Sequence, residues 1–151
     1  MSAPILEIRD LRVWFGNPPD RVDAVKGVDL TVARGESFGL VGESGSGKST
    51  ILRALAGLAP TWSGTITVDG ETLRGIRRSP AFHRRVQMVF QDPQGSLNPR
   101  LKVWKSIAEA IPGNPGKADK RARAAAALEE VGLPAESLDR FPHEFSGGQR
   151  Q

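Results

Sequence analysis

Alternating apolar and polar residues predict two strands near the start of the chain. From Ile5 to Phe15 the pattern is strand-like, but the apolar positions change parity, which predicts a bulge near Asp10. Between Val28 and Val32 apolar residues alternate with polar ones, which predicts a half-buried strand ending at Arg34-Gly35. We expect these two strands to pair.

Further along, short apolar runs predict buried strands, and a helical period then takes over. Ser37 to Val41 is an apolar run typical of a buried strand, and Lys48 to Gly57 predicts a helix that ends at its glycine. The first part of the chain is therefore mostly β and the second part mostly α. The remaining predicted elements are strands at Thr65 to Val68 and Arg85 to Phe90, and helices at Val103 to Ile111 and Ala118 to Val131.

A Gly-rich loop joins the predicted strand at 37–41 to the predicted helix, with the sequence Gly42-Glu43-Ser44-Gly45-Ser46-Gly47-Lys48-Ser49. Glycines let the backbone wrap closely around phosphates, and the N-terminus of a helix favours anions. Lys48 can reach the β and γ phosphates, and the hydroxyl of Ser49 can bind Mg²⁺. A fortuitous Gly/Ser-rich turn is the alternative, but the flanking strand and helix favour a P-loop for a nucleoside triphosphate.

Composition is that of a globular protein, with 38% hydrophobic and 25% charged residues. The absence of cysteine excludes disulfides and thiolate metal sites. No apolar run approaches the roughly 20 residues that span a bilayer, and no signal peptide is evident, so we expect a cytoplasmic protein. The net charge of +4 has little weight, because the basic pairs Arg77-Arg78 and Arg84-Arg85 and the run Lys117 to Arg123 are typical of solvated faces.

Three more segments accompany the loop: Val89-Phe90-Gln91-Asp92-Pro93, Phe145-Ser146-Gly147-Gly148-Gln149 and the pair Trp14-Phe15. Together with the loop, and in order along nearly the whole chain, they resemble the ATP-binding subunit of an ABC transporter. The resemblance implies an α/β fold of the P-loop NTPase class, with an N-terminal antiparallel β subdomain, a parallel core sheet and a helical subdomain. Residues 1–151 would form a partial domain, with the β subdomain and core at 1–100, the helical subdomain at 101–145 and the signature motif at 146–151.

The resemblance also implies site residues, with ATP and Mg²⁺ as cofactors and ATP hydrolysis as the family activity. Lys48 and Gln91 would be catalytic, and Ser49 and Gln91 would contact the metal. Phe15 would stack on adenine, with Trp14 as the alternative and core packing as a further possibility for both. Thr50 could bind nucleotide, pack or cap the helix. The implied ATP contacts are Phe15, Gly42, Glu43, Ser44, Gly45, Ser46, Gly47, Lys48, Ser49, Thr50 and Gln91.

In this family two subunits pack head to tail, so the signature residues Ser146, Gly147, Gly148 and Gln149 would contact ATP bound to the other subunit. Standing alone, the segment would be a helix N-cap at Ser146 followed by a flexible glycine pair. The implied partners are a second ATP-binding subunit, identical or different, and transmembrane permease subunits that meet the surface from Gln91 to Arg100. Nucleic acid is not expected, and the implied location is peripheral, on the cytoplasmic side of the inner membrane.

Residues 87–100 and Phe141 to Glu144 are similar to the branch that serves oligopeptide, dipeptide and nickel importers. In the family, an apolar strand ending in Asp and Glu follows the signature, and a switch histidine comes later, but this sequence stops at Gln151. We therefore expect a fragment that exposes apolar surface and is inactive alone. The competing hypotheses are a soluble ABC-type ATPase acting on nucleic acid or the ribosome, and an inactive remnant.

Overall fold

The computed structural model describes residues 3–92, 95 and 97–151, and the chain forms two compact units, residues 1–88 and 89–151. The first unit is built on a four-stranded sheet in the order β2-β1-β3-β4, in which every neighbouring pair is antiparallel. The predicted antiparallel β subdomain is confirmed. Its elements are β1 (Leu6–Phe15), β2 (Val22–Val32), α1 (Lys48–Ala56), β3 (Trp62–Val68), β4 (Glu71–Thr72) and α2 (Pro80–Arg85).

Strand β1 pairs with β2 on one side and with β3 on the other, and it carries the predicted bulge. Asp10 has a positive φ of 43°, and the register of β1 shifts between Ile8 and Leu11. This break turns Leu11 and Val13 toward the same core as Ile8, and all three are fully buried. The parity change in the sequence therefore results from a β-bulge, which allows apolar side chains on both sides of the break to pack into the same core.

Helix α1 packs on this core through Ile51 and Ala54. It ends at Gly57, whose φ of 80° is the left-handed conformation typical of a helix C-terminus. Helix α2 buries Phe82, and the Ser79 hydroxyl caps it by accepting a hydrogen bond from the Phe82 N–H at 3.0 Å. The predicted helix at 48–57 is confirmed.

The segments 37–41 and 85–90 are not strands in the described chain, so these two predictions were wrong. Residue 85 instead ends α2, and in each segment apolar side chains are exposed, with Val41 91% and Val89 79% accessible. A strand of a parallel sheet is defined by hydrogen bonds to strands far away in sequence, and an apolar run cannot supply those partners itself.

The second unit is helical. Its core is formed by Val103, Ala124, Leu128, Leu138 and Phe145. Both predicted helices are confirmed, and Gly132, with a φ of 76°, follows the second one as expected. The described elements are α3 (Val103–Glu109), α4 (Lys117–Glu130), 3₁₀ turns at Ala135–Asp139 and Pro142–Glu144, and α5 (Gly147–Arg150).

The spatial division after residue 88 differs from the functional boundaries expected at 100 and 145, which stay predictions. In the described ranges, no helix is both long and apolar enough to cross a membrane. Pro93 and Ser96, which contribute to the resemblance, lie outside the described residues.

Candidate nucleotide-binding site

The Gly-rich loop leads directly into α1 and is packed against strand β2. Gly47 immediately precedes the helix with a φ of 95°, and a Cβ placed there would lie 2.7 Å from the carbonyl oxygen of Ala24. At Gly42 a Cβ would lie 2.9 Å from the Ser46 hydroxyl oxygen. Glycine is therefore required at position 47 both by backbone conformation and by space, whereas a Cβ at position 42 would displace only the Ser46 hydroxyl.

Lys48 lies across the loop that precedes it. Its ammonium group donates hydrogen bonds to the carbonyl oxygens of Gly42 at 2.8 Å and Glu43 at 2.5 Å, and to the Ser46 hydroxyl at 3.2 Å. The loop backbone thus curls around the cation, with the Ser46 N–H donating to the Glu43 carbonyl at 3.3 Å. The Lys48 ammonium is therefore held beside the loop, where its positive charge would attract an anion.

The N-terminus of α1 keeps its own amides available. Within the described residues no side chain caps this end, and no acidic residue lies in the first turn. The first intrahelical bond runs from the Ile51 N–H to the Gly47 carbonyl at 3.0 Å, so the amides of residues 48–50 precede the helical pattern. Ser49 is exposed and Thr50 is half-buried. The arrangement of amides, lysine and hydroxyl matches the chemistry that binds a phosphate chain.

The aromatic pair sits at the end of β1, and the two rings differ in access. Phe15 is 37% exposed, whereas the guanidinium of Arg21 covers the half-buried Trp14 ring at 4.4 Å from the centroid. Phe15 pairs with Val22, close in sequence to Ala24, which contacts the loop at Gly47. Phe15 is therefore at the same end of the β1–β2 pair as the loop and has the more open ring.

Gln91 and the signature segment belong to the second unit. Gln91 is exposed in a bend. Ser146 caps α5: its hydroxyl accepts a hydrogen bond from the Gln149 N–H at 3.3 Å, and the Gln149 side-chain oxygen accepts one from the Ser146 N–H at 3.0 Å. A Cβ added at Gly147 or Gly148 would meet no heavy atom of the described residues within 4 Å.

Two contacts tie the signature segment to the helical core. Phe145 is buried in that core, and the Arg150 guanidinium donates back to the Phe145 carbonyl at 3.1 Å. An apolar groove of about 460 Å³ runs beside it and is lined by residues that include Val103, Leu128 and Gly148. The exposed glycine pair therefore lies next to a residue, Phe145, that is packed in the helical core.

Sequence reasoning missed Arg78. The pair Arg77-Arg78 is typical of a solvated face, and that interpretation is wrong for Arg78, which is half-buried and hydrogen-bonded to the C-terminal end of α1. No local pattern marks such a contact, because the helix end and the arginine are more than 20 residues apart. The indirect signal was the predicted end of α1 at Gly57, since the last carbonyls of a helix need partners.

Comparisons with known proteins agree with this geometry. The model of the family described as ABC transporter matches residues 25–151. The oligopeptide transport ATP-binding protein AmiF of Streptococcus pneumoniae is 43% identical over all of this chain and 51% of its own length. The oligopeptide transport ATP-binding protein OppF of Streptococcus pyogenes is also 43% identical, with the same coverage. The chain therefore spans about half the length of these curated relatives.

Solved structures are similar as well. A dimeric structure of MJ0796, a bacterial ABC transporter cassette, superposes with a TM-score of 0.74 at 25% identity, covering 96% of this chain and 65% of that one. The structure of cbiO1 from Clostridium perfringens, part of the transporter complex cbiONQ, gives a TM-score of 0.68 at 27% identity, covering 99% of this chain and 58% of that one.

Proposed function

We propose that this chain, which belongs to the ABC transporter family, is part of an ATP-binding subunit that powers the import of peptides or nickel. The observation that carries the proposal is the phosphate loop, in which the Lys48 ammonium is held by loop carbonyls at the uncapped start of α1. The relatives named as oligopeptide transport proteins support the peptide branch.

ATP and Mg²⁺ fit the residues present. Amides of the Gly-rich loop and of the first turn of α1, with the Lys48 ammonium, would hold the phosphates, and glycine at position 47 lets the loop approach β2 closely. Magnesium prefers oxygen ligands, and the exposed Ser49 hydroxyl provides one beside the loop, with Gln91 as a second candidate. When bound, the metal would neutralise the charge of the phosphate oxygens.

Phe15 is the better candidate for stacking on adenine. Its ring is partly open to solvent at the end of the β1–β2 pair nearest the loop, whereas Arg21 covers Trp14. An aromatic face binds a purine without a fixed hydrogen-bond pattern, so one exposed ring is sufficient. Trp14 lies in β1, and its carbonyl oxygen accepts a hydrogen bond from the Thr61 hydroxyl.

A second ATP-binding subunit would complete the site. The Gly147-Gly148 pair is exposed at the start of a capped helix, where a second chain can approach its backbone, and the dimeric relative MJ0796 supports assembly of two such subunits. In a head-to-tail dimer, residues 146–149 of one chain would contact ATP bound to the other. The same chain or a related one could supply this partner.

Permease subunits would meet the surface from Gln91 to Arg100 and the helices after it. This assignment places the protein at the cytoplasmic face of the membrane as a peripheral subunit. The apolar groove in the second unit supports a protein partner for this region. No observation favours the alternative of a soluble ATPase acting on nucleic acid or the ribosome, and the relatives' names favour import.

ATP hydrolysis is the family's activity, with Lys48 and Gln91 in the catalytic roles. Lys48 would stabilise the charge of the phosphates, and Gln91 would help to orient the attacking water. The 151 residues contain no Asp-Glu pair to anchor magnesium and polarise water, and neither histidine lies where the family's switch histidine would be. For residues 1–151 the proposal is therefore nucleotide binding, and hydrolysis is proposed only where an Asp-Glu pair is also present.

Equilibrium binding of ATP with Mg²⁺ tests the proposal. We expect Lys48→Ala to weaken binding at least about tenfold, because a hydrogen bond to a charged group contributes about 1.5–3 kcal/mol. Lys105→Ala is the matched control, since this exposed lysine lies in the second unit and has no assigned role in nucleotide binding. Equal affinity in the wild type and Lys48→Ala, or no binding by the wild type, would overturn the proposal.

A further inference from the structure

Arg78 is bound to the end of α1 opposite to the phosphate loop. Its guanidinium donates to the carbonyl oxygens of Leu55 at 2.9 Å and Ala54 at 2.7 Å, both in the last turn of the helix. The same group donates to the carbonyls of Gly75 at 2.9 Å and Arg77 at 3.1 Å. One side chain therefore joins the helix end to the segment that follows β4.

Backbone amides satisfy the last carbonyls of α1 only in part. The amides of Leu58 and Ala59 turn back to the Arg53 carbonyl at 2.7 and 3.2 Å, and the Gly57 amide reaches the Ala54 carbonyl at 3.2 Å. Ala54 is fully buried, so water does not solvate this turn freely. Arg78 adds the remaining donors, and a cation at the C-terminus of a helix is also favoured by the helix dipole.

The guanidinium is itself held in place from several sides. Its carbon lies 5.5 Å from the centroid of the buried Phe82 ring. A Cβ at Gly57 would collide with the Ile76 carbonyl oxygen and would lie 3.0 Å from the Arg78 Cγ, so the backbone at 57 and the segment 76–78 are in close contact. Partial burial lowers the pKa of Arg78 from its ordinary value, but arginine keeps its charge at neutral pH.

We propose that Arg78 is a positioning residue for nucleotide binding, which fixes α1 from its C-terminal end and thereby orients the phosphate loop at its N-terminal end. Helix α1 has nine residues and is about 13 Å long, short enough to move as one rigid body. Its core contacts run from Ile51 to Ala54 and Leu55, and Arg78 adds hydrogen bonds to the backbone carbonyls of the last turn. Gly47 against Ala24 fixes one end, and Arg78 fixes the other.

The first test needs no nucleotide. Hydrogen exchange is measured in the full chain at the Ile51 amide, which bonds to Gly47 at the loop end of α1. We expect Arg78→Met to speed this exchange roughly tenfold, because it removes charged hydrogen bonds from the far end of the helix. Arg77→Met is the matched control, since Arg77 is exposed and no contact holds its guanidinium within residues 3–92. Unchanged exchange at Ile51 in Arg78→Met would overturn the inference.

The second test rests on the proposed function and measures ATP affinity under conditions in which each variant is fully folded. If Arg78 only stabilised the helix end, its loss would leave this affinity unchanged. Because we propose that it positions the loop, we expect Arg78→Met to weaken ATP binding roughly tenfold. Arg77→Met should bind ATP as the wild type does. If the wild type binds no ATP, the proposed function fails, and the exchange result alone decides the role of Arg78.

Arg78→Lys keeps the inference testable if Arg78→Met does not fold. Lysine retains the charge but not the planar fork that reaches two carbonyls at once. For Arg78→Lys we expect values between those of the wild type and of Arg78→Met. Exchange at the Ile51 amide should be about threefold faster than in the wild type, and ATP binding about threefold weaker. Values equal to those of Arg77→Met would count against a role for the fork.

Discussion

Gly47 is the residue at which the phosphate loop is most tightly fitted to the sheet. We expect Gly47→Ala to lower the free energy of unfolding by about 1–3 kcal/mol, because alanine is strained at a φ of 95° and its Cβ would lie 2.7 Å from the Ala24 carbonyl oxygen. The measurement is urea unfolding of the full chain at neutral pH.

Gly45 provides the control for this substitution. Its φ of 80° imposes a similar backbone strain, but a Cβ there would meet no described heavy atom within 4 Å. Gly45→Ala should therefore show the strain without the collision, and Gly47→Ala should be the more destabilising of the two. The close contact between loop and strand would be contradicted if the two variants lost equal free energy.

At the scale of elements, a charged cluster joins α3, α4 and the turn after them. The carboxylate of Asp139 accepts hydrogen bonds from the Arg121 guanidinium at 2.6 and 3.1 Å and from the Lys102 ammonium at 3.3 Å. Arg121 also lies over the Trp104 ring at 5.2 Å. Lys102 precedes α3, Arg121 is on α4 and Asp139 ends the turn, so three elements meet at one carboxylate.

This cluster predicts a pH dependence of stability. The hydrogen bond from Arg121, followed by that from Lys102, lowers the pKa of Asp139 to about 2, below the value of about 3.9 expected in the unfolded chain. The unfolded state therefore binds the proton more readily. The stabilising contribution is complete above about pH 4 and is lost as the pH falls through about 2.

The urea midpoint measured from pH 6 to pH 2 checks this dependence. Asp139→Asn removes the titrating group and should give a shallower decline between about pH 4 and 2 than the wild type. Glu136→Gln, at an exposed position in the same turn, is the control and should follow the wild type in this window. Identical curves for the wild type and Asp139→Asn would contradict the role of the cluster.

Local patterns were sufficient for some elements and not for others. The parity change near Asp10 and the glycines at 57 and 132 marked a bulge and two helix ends, because each feature is determined by neighbours in sequence. The segments 37–41 and 85–90 were wrongly predicted as strands, because a strand in a parallel sheet depends on distant partners.

The candidate site divides in the same way. The Gly-rich loop at 42–49 is a contiguous motif, so spacing alone predicts it as a phosphate site, and the structure adds how Lys48 is held. Arg78 and the Asp139 cluster depend on contacts between residues well separated in sequence, and neither leaves a local signal. The resemblance already favoured Phe15 over Trp14, and the exposure of each ring, which only packing determines, supports that proposal.

At the scale of the whole molecule, residues 1–151 contain the proposed phosphate loop and signature segment and no adjacent Asp-Glu pair. Gln91 can orient a water molecule, but an amide is not a general base, so without these carboxylates binding and hydrolysis should separate in residues 1–151. We expect residues 1–151 to bind ATP with Mg²⁺ and to release no phosphate above the level of their own Lys48→Ala variant. A chimera that adds the remaining half of the Streptococcus pneumoniae relative should restore release.

The measurement is phosphate release under multiple-turnover conditions, with Lys48→Ala introduced into both lengths as the control. In the chimera this substitution should abolish phosphate release, because the Lys48 ammonium stabilises the negative charge of the phosphates in both proteins. Sustained release by residues 1–151 that Lys48→Ala abolishes would show that these residues hydrolyse ATP by themselves. The separation of binding from hydrolysis would then be wrong, and the carboxylates of the longer subunit would not be required for the reaction.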